Sequence, residues 1–174
     1  IVTAKDIEAF GLNDSTEALR FVPALNQSGS VTAPPDRGSF GQSVLDLRGL
    51  GADRTLVLVN GRRHVSGVVN TASVDVATIP SALVERVEVL TGGGSSIYGA
   101  DAVSGVVNYI LKDNFEGLDV RTNFSLPTQG DGESYFGAIT AGGNFAGRRG
   151  NAVFNAEYFR QTSLRVDERE ISRT

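Results

Sequence analysis

Hydrophobic and polar positions follow two different rhythms along this chain of 174 residues. As far as about residue 116, short apolar runs are separated by Gly, Ser and Pro, which predicts a compact region of mixed helices and strands. From residue 117 onward, apolar and polar residues alternate in three long segments, the period of β-strands. The change of rhythm predicts two structural parts, residues 1–116 and residues 117–174.

Helices and strands are both predicted in the first part. Residues 3–10 and 14–22 read as short helices capped by Thr3 and Asp14, and residues 26–42 and 66–78 read as loops. Residues 44–49 and 54–59 read as strands, the second apolar enough for burial on both faces. Asn60-Gly61, directly after that strand, is a strong signal for a hairpin turn.

Residues 84–112 contain the most informative pattern in the sequence. A strand with alternating apolar residues leads into three consecutive glycines, Gly92, Gly93 and Gly94, which allow a sharp turn. Ser95 and Ser96 are suited to cap one helical turn, and Gly99 is suited to end it. A second strand follows at residues 106–111, so the pattern predicts a βαβ-like unit that joins the two parts.

The second part is predicted to form three antiparallel strands, at residues 118–126, 135–145 and 152–161. Each is about as long as the ~9–11 residues of a transmembrane β-strand, with one apolar and one polar face. Strands of an antiparallel sheet with one face in water alternate in the same way. The pattern alone therefore leaves a barrel wall and a water-facing sheet both open, and three strands cannot close a barrel.

Composition and charge exclude several kinds of function. The net charge of −4 gives no reason to expect nucleic acid as a partner. The chain has no Cys, and its one histidine, His64, cannot form a multi-histidine metal site. The three glycines do not fit a nucleotide-binding motif, although an α/β nucleotide enzyme stays as an alternative that ATP or NAD binding would reveal. We expect no catalytic residue, metal or cofactor.

Several motifs together resemble a known family. Residues 84–112 resemble the end of the plug domain of TonB-dependent outer-membrane receptors, and the runs at 47–51 and 55–61 resemble two further plug motifs in the same order. The resemblance implies an α+β plug domain, a small mixed sheet with short helices, at residues 1–116. It also implies that residues 117–174 are the first three antiparallel strands of a 22-stranded transmembrane β-barrel, here incomplete.

The resemblance also implies a function, a location and partners. Such receptors lie in the outer membrane of Gram-negative bacteria, contact its lipid, and import a scarce nutrient with energy from TonB. TonB would bind a segment before Ile1, and residues 127–133 would be extracellular and 146–150 periplasmic. A ferric siderophore is the default nutrient, with cobalamin, haem and oligosaccharide open. The alternatives are a receptor that also signals to a periplasmic regulator and a soluble carbohydrate-binding β-domain.

Candidate site residues follow from the resemblance, because the apical plug loops of the family face the substrate. Arginine suits anionic ligands and Phe suits stacking on a ring. The expected substrate-binding residues are Arg37, Ser39, Phe40, Gln42, Arg62, Arg63, His64 and Asn70. The glycine turn with Tyr98 and Gly99 is expected to be structural.

One departure from the family concerns the attachment of the plug. The family often has an Arg where this chain has Thr91, and that Arg commonly pairs with glutamates of the barrel. The attachment is therefore expected to rest on Arg48, Arg86 and Glu88. Strand alternation places Glu85 off the face that Arg86 and Glu88 share, so Glu85 is expected to pair poorly with them.

Overall fold

A five-stranded mixed sheet organises the first part of the chain. The computed structural model describes residues 1–3, 5–6, 19, 22–25, 43–67, 71–126 and 133–161, and the chain divides into two compact units, Ile1–Lys112 and Asp113–Thr174. The first unit holds the five-stranded sheet and the second holds a three-stranded antiparallel sheet. Among the described helices, none has the length and apolar character needed to cross a membrane.

The strands of the first sheet are ordered β1-β4-β5-β2-β3. Their bounds are Val2–Thr3 for β1, Thr55–Val59 for β2, Arg62–Arg63 for β3, Val84–Thr91 for β4 and Gly105–Leu111 for β5. β2 and β5 run parallel in the middle of the sheet, and every other pairing is antiparallel. The mixed sheet with short helices is the architecture that the sequence predicts.

Burial explains why β2 and β5 lie at the centre. Four of the five residues of β2 are buried, as its continuous apolar run predicts. Val57, Val107 and Tyr109 pack into the larger core on one face of the sheet, while Leu56 and Val106 belong to a smaller core. β2 and β5 therefore contribute side chains to a core on each face of the sheet, as parallel strands buried on both faces do.

The strand predicted at residues 44–49 is wrong. Residues 43–46 have no regular structure, and Leu47–Gly49 form a 3-10 turn. Arg48 and Gly49 have φ angles of 62° and 68°, which no strand can accommodate. Instead, the backbone N–H of Leu47 donates a hydrogen bond of 3.0 Å to the buried hydroxyl of Thr55.

The unit around the three glycines follows the predicted order of elements but not the predicted pairing. β4 is followed by a turn with positive φ at Gly92 and Gly93, then by the helical turn α1 at Ser95–Tyr98, which Gly99 ends. β4 and β5 are antiparallel, so the unit is not a βαβ unit. The helix is not capped by serine either, because the N-cap position falls on Gly94 and makes no side-chain hydrogen bond.

A further 3-10 turn at Ala52–Arg54 precedes β2, and two more lie between β3 and β4. One lies at Val76–Thr78, inside a segment predicted as a loop, and its first turn is capped by the Asp75 carboxylate, which accepts from the N–H of Ala77. The other lies at Ser81–Leu83, directly after Pro80. The predicted helices at 3–10 and 14–22 lie mostly outside the described residues.

The second unit contains the three predicted strands. They are β6 at Gly117–Ser125, β7 at Ser134–Phe145 and β8 at Gly150–Gln161. Each pairs with the next in an unbroken antiparallel register, and residues 146–149 form the predicted tight turn between β7 and β8. Without a bulge to shift the register, every side chain keeps its predicted face along the whole ladder.

Candidate functional site

The hairpin between β2 and β3 presents the basic residues that the sequence singles out. Its turn has φ angles of 49° at Asn60 and 74° at Gly61, the left-handed pair that a tight hairpin turn needs. The Asn60 side chain accepts from the Leu111 N–H at 2.9 Å, and the Asn108 side chain accepts from the Gly61 N–H at 3.0 Å. Two amide side chains thus brace the turn against the end of β5.

The three basic residues after the turn have different surroundings. Arg62 is exposed, and among the described residues its side chain has no hydrogen-bond or ion-pair partner. Arg63 donates to the Asp101 carboxylate at 2.5 Å and also to the carbonyl of Tyr98. His64 is half-buried, and its ring Nδ1 lies 3.0 Å from the Val65 carbonyl. Of the two arginines in this hairpin, Arg62 is thus the one without a polar side-chain partner in the described part of the chain.

A second group of charges lies on β4. The Arg86 guanidinium contacts the carboxylate of Glu88 at 2.9 Å and that of Glu85 at 2.8 Å. The hydrogen bond that Arg86 donates to Glu88, followed by the charges of both glutamates, raises the pKa of Arg86 above its ordinary value. The expectation that Glu85 pairs poorly is wrong, because the β4–β5 register shifts between Val84 and Arg86 and makes Glu85 an extra, bulged residue.

Arg48 combines an unusual backbone with an exposed cation. Its φ of 62° and ψ of 18° are left-handed, a conformation that costs a non-glycine residue about 1–2 kcal/mol. The backbone N–H of Arg48 donates to the Ala24 carbonyl at 2.7 Å, and its Nη2 lies 3.5 Å from the Thr91 carbonyl. Gly92 leaves room beside it, since a Cβ there would lie 3.6 Å from Nη1. The guanidinium therefore lies next to the position where the family often has its own arginine.

The remaining predicted ligand residues lie outside the described residues. These are Arg37, Ser39, Phe40, Gln42 and Asn70. The structure therefore bears on the hairpin residues and not on the two predicted loops.

Sequence reasoning missed the residues that hold the hairpin in place. Asp101 and Asn108 are 38 and 47 residues from their hydrogen-bond partners, and their own positions carry no local pattern. Thr55 and Ser104 were missed as well, although their buried hydroxyls lie 3.0 Å apart. A polar residue inside a predicted buried strand, such as Thr55, was the one available signal, since buried hydroxyls need a partner.

The two faces of the second sheet differ in the character and exposure of their side chains. One face carries large apolar side chains, and this face is the exposed one: Leu118 at 67%, Val120 at 61%, Phe124 at 66%, Ile139 at 42%, Phe154 at 66% and Tyr158 at 63% exposed. The opposite face carries most of the polar residues, together with Phe136, Val153 and Phe159, and is partly buried, down to 2% at Thr140. We call these the bare face and the polar face.

Hydrogen bonds between neighbouring strands tie the polar face together. Asn155 donates to Thr140 at 2.9 Å, and Asn151 donates to Asn144 at 2.8 Å. Arg121 forms an ion pair of 2.9 Å with a carboxylate two residues earlier on the same strand. Amides and charges on this face thus find partners within the sheet, whereas the bare face is mainly apolar, with Thr122 and Arg160 among its polar members.

Comparison with known proteins places these features in a family context. The family described as TonB-dependent Receptor Plug Domain matches residues 1–106. The siderophore receptor PirA from Acinetobacter baumannii is similar over 98% of this chain, with 25% identity and a TM-score of 0.74. PirA from Pseudomonas aeruginosa is similar over 91% of the chain, with 27% identity and a TM-score of 0.61.

A third similar structure contains a ligand. The ferric enterobactin receptor PfeA from Pseudomonas aeruginosa, a mutant in complex with enterobactin, is similar over 93% of this chain with 25% identity and a TM-score of 0.68. The chain covers 28%, 25% and 24% of the P. aeruginosa PirA, A. baumannii PirA and PfeA chains. It therefore spans about a quarter of the length of these solved receptors.

Proposed function

Because the chain belongs to the family of TonB-dependent receptor plug domains, we propose that it forms the plug and the first wall strands of an outer-membrane receptor that imports a ferric siderophore. The family consists of receptors and transporters rather than enzymes. The siderophore receptors among the similar structures support this class of ligand. TonB is the proposed source of energy, in keeping with the family.

The bare face of the second sheet is the observation that carries the proposal. A large exposed apolar surface is costly in water, where sheets turn their apolar side inward. It is the expected outer surface of a strand wall in lipid, which alternates apolar residues outward and polar residues inward. The bare face therefore favours the barrel wall over the soluble carbohydrate-binding domain.

The dimensions of the bare face fit the same interpretation. Tyr135 and Phe145 lie ten residues apart on β7, and both are exposed aromatic residues. At about 3.4 Å per residue the distance along the strand is about 34 Å, or about 26 Å in height for a strand tilted by about 40°. The apolar band of such barrels is about 25 Å tall with aromatic girdles at its edges. Phe124 packs edge-on against Tyr135, with 6.0 Å between the ring centroids. One end of the apolar band therefore carries a pair of aromatic rings.

For the ligand, we propose contacts to Arg62 and His64 on the braced hairpin, together with the predicted loop residues 37–42 and Asn70. A guanidinium that has no partner among the described residues offers several donors to an anionic iron chelate. The braced turn holds this guanidinium on a fixed backbone, so less ordering is required when the ligand binds.

For the attachment of the plug, we propose that Arg48 forms the ion pair with the barrel that Thr91 cannot form. Arg86 and Glu88 already pair with each other, whereas Arg48 reaches a backbone carbonyl and no described carboxylate. Its partner would be a carboxylate on the barrel, as the family pattern suggests. The strain in the Arg48 backbone fits a residue whose position matters for function.

Two measurements on the full-length receptor test the proposal. Cells that depend on it should take up ferric enterobactin, the probe ligand, only when TonB is present, and Arg62→Gln should lower its affinity. Uptake that is the same without TonB, or absence of binding to any ferric siderophore, would contradict the transport function.

The bare face has its own test. Ile139→Arg places a charge near the middle of the apolar band and should cost about 2–4 kcal/mol of membrane insertion, which heat-modifiability and outer-membrane yield report. The control Glu157→Arg puts the same side chain on the polar face, at the β8 position that pairs with Ala138, the residue before Ile139. If the two variants assemble equally well, the bare face does not meet lipid.

A further inference from the structure

Arg63 joins two segments that lie far apart in the sequence. Asp101 and Tyr98 are 38 and 35 residues away from it, in the segment that follows the glycine turn. We propose that Arg63 is a positioning residue, which couples the ligand-facing hairpin to α1 and does not itself contact the ligand. The ligand part of this inference rests on the proposed function, and the coupling within the plug does not.

Each of the two terminal nitrogens of the Arg63 guanidinium has its own hydrogen-bond partner. One terminal nitrogen donates to the Asp101 carboxylate and the other to the carbonyl of Tyr98, the last residue of α1. The planar guanidinium holds its donors in a fixed arrangement, so it can serve a carboxylate and a carbonyl together, and a lysine ammonium has no such fork. With both nitrogens engaged, Arg63 has less to offer a ligand than its neighbour Arg62.

Apolar packing supports the link between the same two segments. Leu58, which is the register partner of Arg63, lies in the smaller core with Ala102, and Tyr98 packs against that core. The hydrogen bonds of Arg63 therefore lie beside an apolar contact that joins the same hairpin to the same helical segment. A change at one segment is transmitted to the other through packed side chains rather than through solvent.

Two glycines with positive φ flank α1. Gly93 lies before it and Gly99 lies between it and the 3-10 turn Ala100–Ala102, which contains Asp101. Their φ angles are 72° and 89°, and a Cβ added at either position would meet no other atom of the described residues within 4 Å. Hinges of this kind absorb changes in backbone angles at low cost. Ligand contact at Arg62, one residue from Arg63, would thus change how firmly α1 is held.

Hydrogen exchange of the ligand-free, full-length receptor tests the coupling. Arg63→Lys and Arg63→Gln should speed exchange of the amides at 95–102 by roughly threefold to tenfold, the size expected for an exposed ion pair plus one hydrogen bond. Asp101→Asn should in turn speed exchange in the hairpin at 58–64, since coupling is reciprocal. The matched control Arg62→Lys should leave residues 95–102 unchanged. Unchanged exchange in both Arg63 variants would overturn the proposal.

A second measurement separates positioning from a purely structural role, with ferric enterobactin as the probe. In the parent receptor the probe should slow exchange in the hairpin and also at 95–102. In Arg63→Lys the hairpin should still be protected, while the protection at 95–102 is lost. If Arg63→Lys instead weakens probe binding as much as Arg62→Lys and leaves ligand-free exchange unchanged, Arg63 is a ligand contact and the inference is wrong.

Failure of the proposed function would look different. If the parent receptor does not bind the probe, the siderophore part of the proposal and the ligand half of this inference both fail. The exchange measurements without ligand still decide whether Arg63 couples the hairpin to α1, because they need no bound molecule.

Discussion

Replacing Gly105 by alanine should destabilise the plug strongly, although the change adds a single methyl group. Gly105 opens β5 with a φ of +148°, a conformation that L side chains rarely adopt. A Cβ at this position would lie 2.3 Å from the Leu90 carbonyl oxygen and 2.7 Å from Cδ1 of Leu47. The carbonyl belongs to the paired strand β4, so it cannot move away without opening the sheet.

The expected cost has two parts. Holding a non-glycine residue in a sparsely populated backbone region costs about 1–3 kcal/mol. Forcing an extra methyl group into a filled site costs about 1–3 kcal/mol more. The sum, about 2–6 kcal/mol, corresponds to at least roughly 25-fold faster opening, since each 1.4 kcal/mol is a factor of about ten.

Hydrogen exchange of the β4 and β5 amides in the intact receptor measures this opening. Gly93→Ala is the matched control, because Gly93 also has a positive φ, of 72°, but has open space around it in the described part of the chain. This control should show only the backbone cost, about 1–2 kcal/mol. If Gly105→Ala and Gly93→Ala speed exchange equally, the close contact with Leu90 is not what makes glycine necessary.

Three further changes test other contacts. Ser104→Ala removes a buried hydroxyl that forms hydrogen bonds with a second hydroxyl and with a carbonyl. The free energy of unfolding of the plug, measured with denaturant, should fall by about 1–3 kcal/mol. The control Ser96→Ala, at an exposed position, should leave it almost unchanged. Gly142→Ala places a Cβ 2.6 Å from a backbone carbonyl oxygen and should reduce the yield of assembled receptor by immunoblot. Hydrogen bonds from Thr3 lower the pKa of Asp6, so the stability they add is present above the ordinary carboxyl pKa and is lost as the pH falls through the lowered value. The protection of the Thr3 amide, measured relative to its intrinsic exchange rate, should therefore decrease in acid, and protection that does not change with pH would show that this bond is absent.

The strands were predictable because their signals are local. Alternation identified β6, β7 and β8, and Asn60-Gly61 identified the hairpin turn. These patterns depend only on residues that are close together in the sequence. The three glycines likewise marked the turn after β4.

The errors arose where distant residues decide the conformation. Residues 44–49 alternate like a strand, yet Leu47–Gly49 form a 3-10 turn with a left-handed backbone at Arg48 and a bond from Leu47 to Thr55, and residues 44–46 have no regular structure. The bulge at Glu85 is set by the pairing with β5, which the order of residues in β4 does not show. Tertiary contacts override local preference at both places.

The sequence identified the hairpin turn and the basic residues after it, but not the surroundings of those residues. The sequence placed three basic residues after the hairpin turn, and their different surroundings depend on Asp101, Tyr98 and Val65. Two of these lie more than thirty residues away. Only the folded arrangement shows that Arg63 is occupied and that Arg62 is free within the described part of the chain.

The parallel pairing of β2 with β5 has a consequence for the order in which the plug folds. Thr55 pairs with Gly105 and Val59 with Tyr109, so about fifty residues must be made after β2 before its main partner exists. Closing such a long loop delays this contact, whereas the β2–β3 hairpin can form at once. The centre of the sheet is therefore completed late, and a chain halted before β5 would expose the apolar strand Thr55–Val59 to aggregation and proteolysis.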